Sequence, residues 1–587
     1  MKKYLLWTSV RVVLGYAQFN NPPGVPIWCG KAYYANNASF DPGGWIEAPK
    51  QSSQPLLDLR VYPRFNIYTD GEQAAELVVD AAISYTTGVP LCDFRGFYSL
   101  DSIKAPKLEL TVMSNNSAIA ISRIGIDTTG NGVWFSLQEF QSQFVAHELE
   151  VQATLPGCQS SFKIPTRFTK LPKRTDGGTM SRLDRKTGTL YVEDYSVQPA
   201  FQVQQPGVSA VSQINWKPIL PYSYYVDWGN WLSNSTARVD EFKSYGFNAI
   251  HVIPPGGPQP FNLTQFDAFM TRADELKLWV IYDMRHTYTN LSSLTEQVNR
   301  LKSRKSILSW YTADEPDGNS EPLNATRLAY ERINQLDPYR PVSLVLNCNN
   351  FYFKEYTSGA DIIMEDVYPV ATNLTFSTQW NTTCNSTYGD CGCDDCTAPA
   401  GSIADIRSRI SQLKQYQSWL GHSYGPPKAL WGVPQAFGGS EYWSRTPDAT
   451  EETAMSMLRI NQGSKGLTAW VWPTTAELAN STGKLAAMLS RDDVSRAILE
   501  GTRVAVESNL DSSVVDVAAW HIDRRTLVSV VSITDAGSEG REAVVPIAGT
   551  AKSIGTVLWG DGGWTLEGSQ LRRSEVRGYA ADVFFLN

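Results

Sequence analysis

Two pairs of adjacent carboxylates stand at the ends of short apolar runs, and they are the first residues in this chain that could do chemistry. Asp314 and Glu315 close the run Ile307-Leu-Ser-Trp-Tyr-Thr-Ala and precede Pro316; Glu365 and Asp366 follow Asp361-Ile-Ile-Met. Neighbouring carboxyl groups can divide acid and base work, because their surroundings push their pKa values apart. Comparable run ends carry Asp227 and Trp228; Asp283, Arg285 and His286; Tyr368; Gln435; and Trp470 and Trp472. Acids and amides beside flat aromatic faces suit a polar, neutral ring such as a sugar, whose hydroxyls need hydrogen bonds and whose faces need stacking.

Other chemistries are absent. The five His, at 147, 251, 286, 422 and 521, include no i, i+4 pair, so the common zinc-hydrolase pattern is missing. No metal or cofactor is implied, and no Gly-rich phosphate loop follows the first run. Gly421-His-Ser-Tyr-Gly425 fits the spacing of a nucleophile elbow, but a helical stretch precedes it and Pro426-Pro427 follows, so it reads as a turn. Asp127-Thr-Thr-Gly-Asn-Gly also reads as a turn rather than a calcium loop. With 51 basic and 59 acidic residues the net charge is −8, and no Lys/Arg run exists to displace counterions from nucleic acid. No run of 18 apolar residues is present to span a membrane.

The elements that must position these groups form a rhythm. Strand-like runs begin at Pro221, Asn248, Leu278, Ile307, Val342, Asp361, Ala429 and Leu467. Helical stretches lie between them over 236–245, 263–276, 294–304, 325–336, 403–419 and 451–462, with apolar residues at helical spacing such as Leu328, Tyr330, Ile333 and Leu336. Eight strands alternating with helices predict an α/β fold, a (β/α)8 TIM barrel over 216–500, whose working groups gather at the strands' C-terminal ends. Alternating strand-like text on either side predicts an N-terminal β-sandwich region over 18–215 and a small C-terminal β-domain over 501–587. The sixth and seventh runs lie unusually far apart. The excess, from Val370 to about Ser402, holds three Asn-X-Ser/Thr sequons and four Cys, and it predicts a disulfide-stapled wall or lid over the cleft.

Placed on the fourth strand, Trp310-Tyr-Thr-Ala-Asp-Glu-Pro316 resembles the signature of the clan-A glycoside hydrolases, in which the Glu before Pro is the acid/base. The resemblance covers the barrel alone and implies that Glu315 takes that role on an oligosaccharide, polysaccharide or glycoconjugate. Two positions depart from the clan's pattern: Asp314 stands where the clan has Asn, and Gln435 stands where a nucleophilic Glu closes the seventh strand. Two mechanisms stay open. In one, a retaining enzyme uses Glu365, or else Asp366, as nucleophile about 5 Å across the site. In the other, the Asp314-Glu315 pair resembles that of family-20 and family-123 N-acetylhexosaminidases, in which the Asp orients the substrate's own 2-acetamido group. A carbohydrate-binding barrel without catalysis, and a transglycosidase, are the rival classes.

Simpler readings stand beside these. Asp314-Glu315-Pro316 also fits a helix start, Glu365 or Asp366 a structural ion pair, Arg285 and His286 core hydrogen bonds, and the Trp pair plain barrel packing. Ten sequons, against about five expected by chance, and eight Cys predict a secreted glycoprotein. Residues 1–17 resemble a signal peptide, with Arg11 interrupting the apolar stretch.

Overall fold

The computed structural model describes residues 25, 27–37, 43–91, 107–156, 161–194, 214–256, 261–385, 387–393, 396, 400–504, 506–511, 513–535, 537–547 and 551–587. The expected signal peptide, Cys92 and Cys158 lie outside them.

Eight parallel strands close into a barrel: β1 (Tyr222–Asp227), β2 (Ala249–Ile253), β3 (Trp279–Asp283), β4 (Ile307–Asp314), β5 (Val342–Leu346), β6 (Ile362–Glu365), β7 (Ala429–Gly432) and β8 (Leu467–Trp472). β8 pairs back onto β1. Such strands are buried on both faces, which is why they read as near-continuous apolar runs. Around them lie α1 (Ala237–Ser244), α2 (Leu263–Leu276), α3 (Leu291–Leu301), α4 (Ala325–Leu336), α5 (Phe353–Thr357), α6 (Ala404–Leu420), α7 (Ala449–Asn461), α8 (Ala476–Leu489) and α9 (Asp492–Glu500). α2 and α4 have the predicted ends; α5, α8 and α9 are additions. Asn262 and Asn290 cap α2 and α3 by accepting backbone N–H groups, so two of the sequons also serve as helix starts.

Side chains alternate across each strand, and this alternation decides what reaches the barrel interior. Tyr225, Ala249, Ile281, Tyr311, Val345, Met364 and Trp431 pack inside. Val226, Ile250, Val280, Leu344 and Ile363 face the helices. A three-stranded sheet (Ser181–Asp184, Thr189–Glu193, Trp216–Ile219) brings Leu183 and Leu190 against Ala429 and Trp431, closing the N-terminal end.

Two four-stranded antiparallel sheets share one core, with Leu57, Leu77, Val79, Leu110, Val112 and Val151 fully buried, and form the N-terminal sandwich. The C-terminal domain has a five-stranded and a three-stranded sheet over Val515, Val528, Val545, Leu571 and Phe584. Its larger sheet turns Trp520, Leu527 and Phe585 towards the barrel helices. α7 lies between barrel and C-terminal sheet, and every residue from Glu451 to Asn461 is buried.

Glu452 on α7 accepts from Tyr222 Oη (3.0 Å) and Ser456 Oγ (2.7 Å), and burial pushes its pKa up to about 7. A carboxyl raised on folding binds a proton that the unfolded chain has already released. Its stabilising share is therefore present at low pH and is lost as pH rises from about 4.5 through about 7. Glu452→Gln should flatten the fall of stability across that window by on the order of 3 kcal/mol, read by urea unfolding at pH 4.5 and 8. Parallel pH dependences for variant and wild type would contradict this.

Candidate active site

The C-terminal ends of β3 to β6 bring four carboxyl groups to the barrel mouth. β4 ends at Asp314, and Glu315 then takes a left-handed backbone (φ 49°), which is uncommon for a residue with a Cβ and is held at a cost of about 1–3 kcal/mol. The turn breaks strand alternation, so both neighbours serve the mouth. Asp314 is held by Arg285 Nη1 and by Tyr311 Oη, which donates at 2.6 Å. Glu315 accepts from Asn347 Nδ2 at 3.0 Å, and the same nitrogen lies 3.4 Å from Asp366 Oδ1, so one amide spans both carboxyls.

Buried carboxyls that share one neighbourhood disfavour each other's charged form. Burial, then the nearby Glu315, drives Asp366 well above the ordinary range. Burial also pushes Glu315 up to about 7, favoured by the charge of Asp314 and opposed by Arg285 and by the bond from Asn347. Beneath them Asp317 accepts three backbone N–H groups, from Gly318, Asn347 and Cys348 (3.0, 3.3 and 2.9 Å), while burial and Glu315 raise it to about 8.

The floor is a polar network inside the barrel. Asp283 joins His251 Nε2 (2.8 Å) to Arg285 Nε (2.7 Å). Burial keeps the His251 pKa low, so the neutral ring donates through Nε2, and Nδ1 has no hydrogen-bond partner among the described residues. The Arg285 guanidinium lies near the rings of Tyr225, Tyr311 and Trp470, at 5.2, 5.7 and 5.3 Å. Arg285 thus fixes the position of the Asp314 carboxyl next to Glu315.

Several expected residues lie elsewhere. Glu365 turns outward and is ion-paired with Arg459 of α7, the two being 1% and 0% exposed, which is the structural reading of that residue. Trp228 packs on Phe261, Phe266 and Phe269, and Trp472 on Tyr224, Trp231 and Phe242, both facing the helix ring instead of the mouth. The Gln435 amide is fully buried and bonds the backbone of Val370 in both directions, so it anchors the loop after β6 instead of facing a ligand. Asp227 caps its own turn through Asn230 at the rim. Tyr368 packs against Phe437 and Trp443 with its hydroxyl near Asp366 and Glu315. His286 lies beside Gly256, about 3.8 Å from where a Cβ there would sit.

Sequence reasoning passed over Asn347, Tyr225, Tyr311 and His251. Asn347 follows the end of β5, the same class of position that picked out the others. The loop after β6 is stapled by Cys384–Cys391 and Cys393–Cys396, and it meets the N-terminal segment where Tyr33 stacks on Trp380 at 4.0 Å. Trp380 donates to Tyr442 Oη (2.7 Å), which donates to Asp390 (2.8 Å). These contacts join the loop to the N-terminal segment. Among the described residues no cluster of three or more His, Cys, Asp or Glu could hold a metal, and no helix is long and apolar enough to cross a membrane. A cavity of about 850 Å³, lined by Arg60, Tyr62, Arg185, Tyr330 and Lys428, lies between the sandwich and the opposite end of the barrel and holds none of the candidate groups.

No protein-family model matches the chain, and no curated protein matches it. Solved structures similar to it include a glycosyl hydrolase family 2 member from Bacteroides cellulosilyticus, 11% identical, covering 90% of this chain and 76% of that one with a TM-score of 0.32. The Parabacteroides merdae β-glucuronidase is 9% identical over 90% and 75% of the two chains, TM-score 0.31. The Nostoc punctiforme debranching enzyme is 10% identical over 60% and 88%, TM-score 0.38. Likeness at this level carries no argument about function.

Proposed function

We propose that the protein is a glycoside hydrolase in which Glu315 protonates the leaving oxygen and Asp314 orients the substrate's own 2-acetamido group for attack on the anomeric carbon. The observation that carries the mechanism is the difference in access between the carboxyls: Asp366 is buried, 4% exposed, behind the Asn347 amide that it shares with Glu315. A retaining pair must flank the glycosidic bond with both carboxyls open to the sugar. Glu365 faces Arg459. Asp314, by comparison with buried Glu365 and Asp366, is partly open to the mouth, with its side chain 24% exposed and held by Arg285, which supports it as the group that meets the substrate. Asp314, held by Arg285, accepts the amide N–H of a 2-acetamido group and steers its carbonyl oxygen to the anomeric carbon. The new C–O bond forms as the leaving oxygen takes the Glu315 proton, and the carboxylate so made then draws a proton from the water that opens the cyclic intermediate.

Asp314→Asn tests the assignment. Turnover of nitrophenyl 2-acetamido glycosides should fall by about 10²–10³-fold, and a sugar-fused thiazoline, which mimics the cyclic intermediate, should inhibit the wild type and lose affinity for the variant. Undiminished turnover, or a wild type indifferent to the thiazoline, would remove the substrate-assisted route. Disulfides and abundant sequons support an extracellular, glycosylated enzyme as part of the same reading.

A further inference from the structure

We propose that Trp28, from the N-terminal strap, is a positioning residue of this site: it fixes the orientation of the Asn347 amide and, through it, the hydrogen bonds received by Glu315 and Asp366. The inference rests on the reading of Glu315 as proton donor.

The strap is a short hairpin, Ile27–Trp28 paired with Lys31–Ala32, lying some 320 residues upstream of the groups it meets. Its turn holds Cys29, which is bonded to Cys348, the residue after Asn347; both sulfurs are buried. The bond therefore brings the strap to the C-terminal end of β5. Trp28 Nε1 donates to Asn347 Oδ1 at 3.0 Å. An indole N–H can only donate, so the end of the amide it meets must be the carbonyl. The other end is then the NH₂, which donates to Glu315 Oε1 at 3.0 Å and lies 3.4 Å from Asp366 Oδ1.

Without Trp28 the two ends of that amide are nearly equivalent in shape, and a flip would set a carbonyl oxygen against the two carboxyls. The backbone of Asn347 is already fixed, its N–H by Asp317 (3.3 Å) and its C=O by Arg409 Nη1 (2.6 Å), so side-chain rotation is the freedom left to control. Gly318 makes room for the indole: a Cβ at that residue would come 2.5 Å from Trp28 Cζ2. A donor withdrawn from Glu315 favours its protonated form, so loss of the Trp28 N–H moves the proton equilibrium of Glu315 upward.

The test compares wild type, Trp28→Phe and Asn347→Leu. Phe keeps a ring over Gly318 and removes the N–H. The limb of the kcat/KM profile at which activity falls with rising pH should move up by about one pH unit in both variants, and kcat should fall about tenfold with KM changed much less. A second readout needs no substrate: the pH dependence of carbodiimide labelling of Glu315, followed by peptide mass spectrometry, should shift in the same direction. Should Trp28→Phe fail to fold, the paired change Cys29→Ser and Cys348→Ser releases the strap and should give the same shift. A shift in Asn347→Leu alone, with Trp28→Phe superimposing on the wild type, overturns the role of Trp28. If no glycoside is turned over but the labelling shift appears, the positioning role stands and the hydrolase reading falls.

Discussion

Replacing Glu315 with Gln lowers kcat/KM on an alkyl glycoside by about 10²–10⁴-fold, the usual contribution of a positioned general acid. Gln keeps the volume and the link to Asn347 but has no proton to transfer. An alkoxide cannot depart unprotonated, so the full loss appears there. A dinitrophenolate is stable without a proton, so on a dinitrophenyl glycoside the loss should shrink to less than about tenfold. The wild-type rate should also decline as pH rises through about 7, where burial places the proton of Glu315, and that decline should disappear in the variant. Equal losses on both leaving groups would mean that Glu315 binds substrate without protonating it. Equal rates for variant and wild type would leave a binding barrel in place of an enzyme.

Arg459→Met should destabilise the fold by about 3–5 kcal/mol near pH 8, because it leaves Glu365 buried with an unpaired charge. Arg459 passes Gly432 so closely that a Cβ there would lie 2.3 Å from its Cδ, and it also donates to the carbonyl of Val367 at 3.0 Å. Both the pair and the position of Asp366, one residue after Glu365, depend on it. Burial already raises Glu365 and Arg459 opposes that rise, so without Arg459 the carboxyl takes a proton more readily and the loss should be smaller at pH 5. Combining Arg459→Met with Glu365→Gln removes both charges and should recover much of the stability. Urea unfolding of the three proteins at two pH values checks this. A single variant within about 1 kcal/mol of wild type at pH 8 would show that Glu365 finds water or another partner.

The barrel was legible because its strands are short, apolar and separated by helices with apolar residues at helical spacing. α8 escaped notice since Asn480-Ser-Thr-Gly483 interrupts its middle with residues of poor helix propensity, and packing against the barrel outweighs them. The candidate site was legible only in outline. Strand ends named Asp314, Glu315 and Asp366, yet nothing local says which of Glu365 and Asp366 turns inward, because that depends on register against Met364 and Arg459. The same ambiguity put Trp228 and Trp472 at the mouth. The left-handed turn at Glu315 has no sequence signal, since Glu rarely adopts it. Asn347 gains its role from Trp28, and Cys29 pairs with Cys348 across 319 residues, contacts that only the closed fold creates.

The central claim is hydrolysis of a 2-acetamido glycoside through the substrate's own amide, with Glu315 as acid. Following wild-type protein over a panel of nitrophenyl glycosides by ¹H NMR, at early times before mutarotation, reads both the sugar and the anomer released. Two successive displacements at the anomeric carbon should give turnover of a 2-acetamido sugar with net retention, and none of the matching 2-hydroxy sugar. Release of the opposite anomer, or turnover confined to sugars without the acetamido group, would contradict the account.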